Sequence, residues 1–198
     1  MRRPGAFLFP VVAALGVAVA SCLAGVSRPA AAQPPPVPAP SLYLSDCAWC
    51  HGNAGEGTER APALIGVGAA SAHFYLSTGR MPIEDPAAPV RRAEPVYDDE
   101  AIAELVAYIA ALGPGPVIPE VDGGEVAAGL ELYTAHCAAC HSSSGIGAAL
   151  SSGVVAPDLF RSSRVETGEA IRIGPGNMPV FGPQTLDEKQ LKDIVAYV

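Results

Sequence analysis

Basic residues are scarce in this 198-residue sequence, which has 12 lysines and arginines against 20 aspartates and glutamates and a formal net charge of −8. Binding of nucleic acid depends on clustered Lys and Arg side chains that neutralise phosphates, and the basic residues here are mostly scattered. The composition therefore argues against nucleic acid as a partner. The hydrophobic fraction of 49% overstates the apolar core, because alanine inflates it.

The residue types that can bind a metal or form a covalent bond to a cofactor are also few: the chain has five cysteines, four histidines and three methionines. Two thiols three positions apart share one face of a helical turn, where they can add to the two vinyl groups of a haem while an adjoining histidine binds the iron. The pattern Cys-x-x-Cys-His occurs twice, as Cys47, Cys50 and His51 and as Cys137, Cys140 and His141. The two motifs predict two covalently bound haem c groups.

A structural zinc site is the main alternative for paired Cys-x-x-Cys motifs. Zinc ribbons place the second pair about 15 to 20 residues after the first, whereas Cys137 follows Cys47 by 90 residues. Zinc also leaves the histidine after each pair unexplained. The spacing favours haem over zinc, a disulfide or a thioredoxin-like redox role.

The amino terminus indicates export. Arg2 and Arg3 precede a long apolar run and a small-residue Ala-x-Ala pattern, which predicts a signal peptide or a membrane anchor in residues 1–32. Cys22 lies in a sequence that resembles a bacterial lipoprotein box, so lipidation is a third alternative. A Pro-rich spacer follows at residues 33–40. Each alternative places the haem domains outside the cytoplasm.

The halves of the chain repeat one another. Tyr43 and Tyr133 each lie four residues before the first cysteine of a motif, and a Gly-x-Gly and an Ala-Pro step follow each motif. We predict a first domain at residues 41–112, a linker rich in Pro and Gly at 113–124, and a second domain at 125–198. The chain stops at Val198 within a helical pattern that has no stop signal, so we expect the natural sequence to continue.

A closing helix is predicted in each half. In the first half the acidic residues 98–100 suit a helix start, and Ile102, Leu105, Val106, Ile109 and Leu112 share one face. In the second half Thr185 and Glu188 have the spacing of a capping box.

The two internal methionines, Met81 and Met178, are candidates for the sixth iron ligand. Each precedes a proline in a glycine-containing loop, 30 residues after His51 and 37 residues after His141. A thioether is a soft ligand that stabilises ferrous iron. Ligation by both methionines predicts two closed haems that transfer electrons, and the alternative is a pair of core methionines.

Residues around the ligands also carry predictions. The carbonyl groups of Pro62 and Pro157 could accept the Nδ1 proton of the two motif histidines, or these prolines only form turns. His73 is a weaker alternative ligand to Met81, and His136 is expected to be exposed. Trp49 and Tyr43 are expected to pack around the first haem. Arg80 is either a partner of a haem propionate or a solvated arginine.

The two domains differ after their methionines. The first carries an additional loop at residues 86–97 with a basic pair, Arg91 and Arg92. Long loops are often contact surfaces, although a solvated loop is the favoured interpretation.

Taken together, the motifs resemble the dihaem cytochrome c subunit (cytochrome cc) of the actinobacterial-type bcc menaquinol:cytochrome c reductase. The resemblance covers about residues 42–198 and is carried by residues 52–58, 62–70, 77–82 and 174–181, beyond the two haem motifs. The stretch Gly-Arg-Met-Pro at 79–82 and the loop after it discriminate most.

The resemblance implies an all-α fold of two fused class I cytochrome c domains with His/Met-ligated haems. It further implies an electron-transfer subunit without substrate chemistry of its own, which receives electrons from a Rieske iron-sulfur protein beside cytochrome b and passes them to an aa3-type oxidase. Such a subunit lies at the cell membrane with its haem domains on the extracytoplasmic side, and the family ends in a membrane helix that this sequence does not reach. The helix before Cys47 is shortened by prolines and lacks a counterpart to Gly129, so looser packing is expected there. A free or lipid-anchored shuttle and a dihaem peroxidase are the rival functions.

Overall fold

The computed structural model describes residues 40–85, 87, 89–151 and 153–198, all within a compact unit that spans residues 35–198. The predicted signal or anchor at residues 1–32 and most of the spacer lie outside the described residues. The described elements are α1 (Ser41–Asp46), α2 (Ala48–His51), α3 (Gly68–Ser77), α4 (Asp99–Ala111), α5 (Val126–His136), α6 (Ala138–His141), β1 (Ala148–Ala149), β2 (Val155–Ala156), α7 (Arg164–Ile173) and α8 (Glu188–Tyr197). The all-α prediction is confirmed, with one short antiparallel hairpin, β1–β2, added to the second half.

Helix α4 closes the core of the first half. The Asp98 carboxylate accepts a hydrogen bond from the Ala101 amide at 2.9 Å, so Asp98 is the N-cap and the predicted acidic start is confirmed. The apolar face of α4 is buried, with Leu105 fully enclosed between α1 and α3. The centroids of the Tyr108 and Tyr43 rings lie 4.6 Å apart. This contact joins the closing helix to the segment before the first motif.

Helix α8 closes the second half by crossing α5 in close contact. A Cβ added at Gly129 would overlap the carbonyl oxygen of Asp193, so only glycine permits this approach. The predicted capping box at Thr185 and Glu188 is wrong. Asp187 and Gln190 form it instead, with reciprocal bonds of 2.8 and 2.9 Å, because the chain first makes a turn that buries Leu186.

The segment between the halves packs against both. The Pro116 carbonyl accepts a hydrogen bond from the Ala70 amide at 3.0 Å, at the start of α3. Five residues later Val121 is buried in the second core. Helices α3 and α7 also pack directly on each other. None of the helices in the described part of the chain is long and apolar enough to span a membrane.

Candidate functional site

Each Cys-x-x-Cys-His motif forms one short helical turn. In the first half the amides of Cys50 and His51 donate to the Cys47 carbonyl at 3.1 and 2.9 Å, and the second motif repeats these bonds at the same two distances. Both thiols and the histidine of each motif therefore lie on one turn, as covalent haem attachment requires. Burial raises the pKa of Cys47, and likewise of Cys137, to about 11.

The two motif histidines are oriented by backbone carbonyls. His51 Nδ1 lies 2.8 Å from the Pro62 carbonyl oxygen, and His141 Nδ1 lies 3.0 Å from that of Pro157. Because a carbonyl only accepts, Nδ1 carries the proton and Nε2 keeps its lone pair for a metal. The predicted role of the two proline carbonyls is confirmed, and the donor set fits an iron ligated by histidine.

The Gly-x-Gly segments return the chain to these histidines. Gly57 has a φ of +83°, and a Cβ there would lie 2.6 Å from the Ala63 amide nitrogen. Gly147 has a φ of +82° and faces the Ala156 carbonyl as closely. In both halves, therefore, glycine permits the close approach that brings a proline carbonyl to the ring of the motif histidine.

A buried tyrosine supports each motif from the core. The hydroxyl of Tyr43 donates to the Gly52 carbonyl at 2.7 Å, and that of Tyr133 donates to the Ser142 carbonyl at 2.7 Å. Burial raises the pKa of Tyr43 to about 12, so the phenol stays a donor. The sequence analysis missed this role, although a tyrosine four residues before each motif was its signal.

Trp49 lies at the surface of the first motif. Its side chain is 71% exposed, and the Arg60 guanidinium stacks over its ring with 4.2 Å between the guanidinium carbon and the ring centroid. The contacts with haem that we expected for Trp49 and Tyr43 remain predictions.

Each candidate methionine is brought to the core of its own half. The side chains of Met81 and Cys47 both pack against the hydrophobic core of the first half. The Met81 amide donates a hydrogen bond to the Tyr75 carbonyl at 3.0 Å. Met178 packs on the second cluster together with Phe181. Both methionine side chains are partly buried.

A buried arginine fixes the loop that carries Met178. Arg172 Nη1 donates to the carbonyls of Phe181 and Leu186 at 2.9 and 2.7 Å, and Nη2 donates to the Glu188 carboxylate at 2.8 Å. In the described part of the first half no buried arginine forms such bonds, and the Ala93 amide donates to the Thr78 carbonyl at 3.1 Å instead. The sequence analysis missed Arg172, because no local pattern marks it.

Arg80 provides a partly buried cation next to Met81 in the sequence. Its guanidinium carbon lies 4.8 Å from the centroid of the Phe74 ring, and its Nη1 atom is buried without a hydrogen-bond partner among the described residues. Desolvation, with the charge of Arg92 adding to it, lowers the pKa of Arg80. An unpaired buried donor of this kind suits a carboxylate, which fits the predicted contact with a haem propionate.

Two of the remaining candidates contact residues of the other half. His73 Nδ1 lies 2.7 Å from Glu169 Oε1, and the alternative of His73 as an iron ligand remains a prediction. Arg92 is only 25% exposed and binds both carboxylate oxygens of Glu166, so a purely solvated loop is the wrong interpretation at this residue. The loop packs on α7 because that helix presents a carboxylate to it. His136 is exposed, as predicted.

The family models match the two halves separately. A model described as "Cytochrome c" matches residues 38–113, and one described as "Cytochrome C oxidase, cbb3-type, subunit III" matches residues 124–198. The chain is therefore a tandem pair of cytochrome c domains, and it carries two covalently bound haem c groups.

Curated relatives narrow this class. The chain is 38% identical over 168 residues to the cytochrome bc1 complex cytochrome c subunit of Mycobacterium tuberculosis, with 79% of this chain and 60% of the relative covered. It is 36% identical over 177 residues to the subunit of the same name from Corynebacterium diphtheriae, with 79% and 63% covered. The chain thus spans about three fifths of the length of these homologues, and the predicted resemblance to this family is confirmed.

A solved structure was also matched, that of reduced recombinant cytochrome c4 from Pseudomonas stutzeri. It is 21% identical to this chain, with a TM-score of 0.29, and the match covers 77% of this chain and 91% of the other.

Proposed function

We propose that this protein is the electron relay of a respiratory quinol:cytochrome c reductase. In this proposal the chain accepts electrons from a Rieske iron-sulfur protein that acts beside cytochrome b, and it passes them to an aa3-type oxidase. Homology to cytochrome bc1 complex cytochrome c subunits supports the reductase. The observation that carries the relay is that each half has both a motif histidine oriented by a backbone carbonyl and a methionine packed on its hydrophobic core.

The residues of the chain have distinct roles in this proposal. Bound haem c supplies reversible one-electron chemistry at its iron. The four motif cysteines would hold the macrocycle by thioether bonds, and His51 and His141 would offer Nε2 to the metal. Met81 and Met178 would be the second protein ligands, which would exclude gases and peroxides and raise the reduction potentials.

We further propose that the two domains span residues 41–112 and 125–198, joined by residues 113–124. They lie on the extracytoplasmic side of the cell membrane, as the export features of residues 1–32 indicate. Association with a membrane-bound reductase is consistent with this placement.

Replacement of each methionine tests the ligand assignment. Met81→Ala and Met178→Ala should each open one iron to carbon monoxide and lower the potential of that haem only, because a strong thioether ligand is lost. Visible spectra of the reduced protein with and without carbon monoxide measure the first effect, and redox titration measures the second. An unchanged spectrum in either variant places the ligand elsewhere, and carbon monoxide binding by the unaltered protein favours a peroxidase.

Purification from native membranes tests the partner assignment. A reductase subunit should copurify with b-type haem, and with a-type haem if the oxidase is held in the same assembly. Release by salt, or recovery in detergent without these haems, indicates a shuttle instead. The reduced-minus-oxidised spectrum of the purified material separates the outcomes.

A further inference from the structure

The two cytochrome c domains meet where α3 packs on α7, and charged side chains occupy that contact. His73 on α3 binds Glu169 on α7, while Arg92, from the long loop of the first domain, binds Glu166 on α7. All four residues lie outside the haem motifs, and both bonds join one domain to the other. The contact is therefore more specific than apolar packing alone.

The His73–Glu169 pair is the more deeply buried of the two. The Glu169 side chain is fully buried, the His73 ring is 30% exposed, and the two atoms that bond are 2.7 Å apart. Glu169 Oε2 is buried without a hydrogen-bond partner in the described part of the chain. A buried carboxylate with so few partners is costly unless a cation neutralises it, so the closed contact depends strongly on His73.

The Arg92–Glu166 pair adds a second point of attachment. Arg92 Nη2 donates to both carboxylate oxygens of Glu166, at 2.9 and 3.0 Å. Glu166 is itself held, because its Oε2 accepts from the Ser163 amide at 2.8 Å in the capping box of α7. The arginine therefore binds a carboxylate that is fixed to the helix backbone, which limits rotation of one domain on the other.

The position of the buried pair reflects the duplication. His73 is the sixth residue of the ten-residue helix α3, and Glu169 is the sixth residue of the ten-residue helix α7. Equivalent positions of two repeated helices thus meet, as in a two-fold contact. Identical residues there would repel if charged, whereas divergence to histidine and glutamate makes the contact attractive.

We propose that these two pairs form a polar latch, defined as His73–Glu169 and Arg92–Glu166, that fixes the two domains and thereby the electron exchange between their haems. The proposal rests on the electron relay proposed above. The four residues act as positioning residues, because among the described residues their side chains form no hydrogen bond with the motif histidines or the candidate methionines.

The latch should respond to pH. The hydrogen bond to Glu169 raises the pKa of His73, against the opposing effect of burial, and the carboxylates of Glu166 and Asp99 add to the increase. Burial raises the pKa of Glu169. The guanidinium groups of Arg80 and Arg92 are the cationic side chains near Glu166 at this contact. Since the folded-state pKa of His73 is raised, its contribution is complete below the unfolded value of about 6.5 and is lost as pH rises through the folded value.

The test uses the haem-loaded full-length protein and the double variant His73→Ala/Arg92→Ala. Both altered side chains are partly exposed, so each domain should keep its haem and its visible spectrum. We expect a larger radius of gyration by small-angle X-ray scattering and loss of the fast inter-haem phase after pulse reduction of one haem. Arg91→Ala removes the neighbouring exposed charge and should change neither measurement. An unchanged radius and an unchanged inter-haem rate in the double variant overturn the latch.

Glu169→Gln separates charge from shape. The amide oxygen can still accept from His73, so the protein should stay compact while the loosening of the unaltered protein at high pH is lost. A pH response equal to that of the unaltered protein contradicts the role of this pair. These measurements need no partner protein and therefore test the latch independently of the proposed function. If the latch passes them but the protein does not copurify with a reductase, only the proposed function is refuted.

Discussion

The two cytochrome c domains keep the same haem-binding turn on different supports. Each has a motif histidine bonded to a proline carbonyl and a buried tyrosine bonded to the end of the motif helix. The helix before the motif, however, is six residues long in the first domain and eleven in the second. Only the second carries the β1–β2 hairpin among the described residues, and only there does α5 approach the closing helix through Gly129. The contacts that orient the motif histidines are thus retained, whereas the length of the first helix and the close packing at Gly129 differ between the domains.

Removal of one haem should affect the two domains unequally and strongly. Cys47→Ser together with Cys50→Ser should abolish covalent haem in the first domain and unfold it, because domains of this size rarely stabilise a core without a staple. The second domain, with its longer helix, should keep its haem. Haem staining after denaturing electrophoresis and helical circular dichroism measure the two effects.

Cys137→Ser together with Cys140→Ser is the reciprocal control. If the longer α5 supports the second domain, this variant should retain more helical signal than the first pair. Equal loss of helix from both variants contradicts the idea that the domains differ in their dependence on haem, and a fully helical protein without either haem contradicts the role of haem in the core.

The contact between α5 and α8 should be sensitive to substitution of Gly129. Gly129→Val should destabilise the second domain by about 3 kcal/mol, because the new side chain overlaps the Asp193 carbonyl and forces the helices apart. Thermal unfolding followed by the spectrum of each haem, in variants that carry only one, assigns the loss to a domain. Leu130→Ala, at the next and half-exposed position, is the matched control and should have a small effect. Equal destabilisation of both domains argues against a contact confined to the second.

How far the sequence predicts this molecule depends on the range of the interaction. The motif turns, the proline carbonyls and the start of α4 follow from residues close in sequence, and each prediction is confirmed. The His73–Glu169 pair joins residues 96 positions apart, and no periodicity or spacing reports such a contact. The partners of Arg172 lie only 9 to 16 positions away, but no motif or repeat marks that arginine. The wrong capping box at Thr185 has a local cause, because Asp187 offers a second, better placed pattern two residues later.

Removal of the hydroxyl groups of Tyr43 and Tyr133 should have a smaller and similar effect in the two domains. Tyr43→Phe and Tyr133→Phe each leave a buried carbonyl without its donor, and we expect a loss of about 1.5 kcal/mol in the stability of the corresponding domain. Chemical denaturation of the single-haem variants measures it. Similar values in the two domains show that the support of the motif is retained after duplication. A value near zero in either domain shows that water replaces the hydroxyl there.

The smallest expected effect concerns the residue after each motif helix. Gly52 and Ser142 adopt nearly the same backbone, with φ and ψ of 82° and 158° and of 61° and 165°, a region that side chains rarely enter. Ser142→Gly should therefore stabilise the second domain by about 1 kcal/mol, since relief of strain exceeds the added freedom of the unfolded chain.

Gly52→Ser is the reciprocal exchange and should destabilise the first domain by a similar amount. The new Cβ enters strained backbone and also meets the Glu56 carboxylate, which can move because it is the end of a flexible side chain. Glu56→Ala in the same background separates the two causes: if strain dominates, this second change restores little stability. A neutral Gly52→Ser would mean that the first domain relaxes where the second does not, which is the looser packing expected from its shortened first helix.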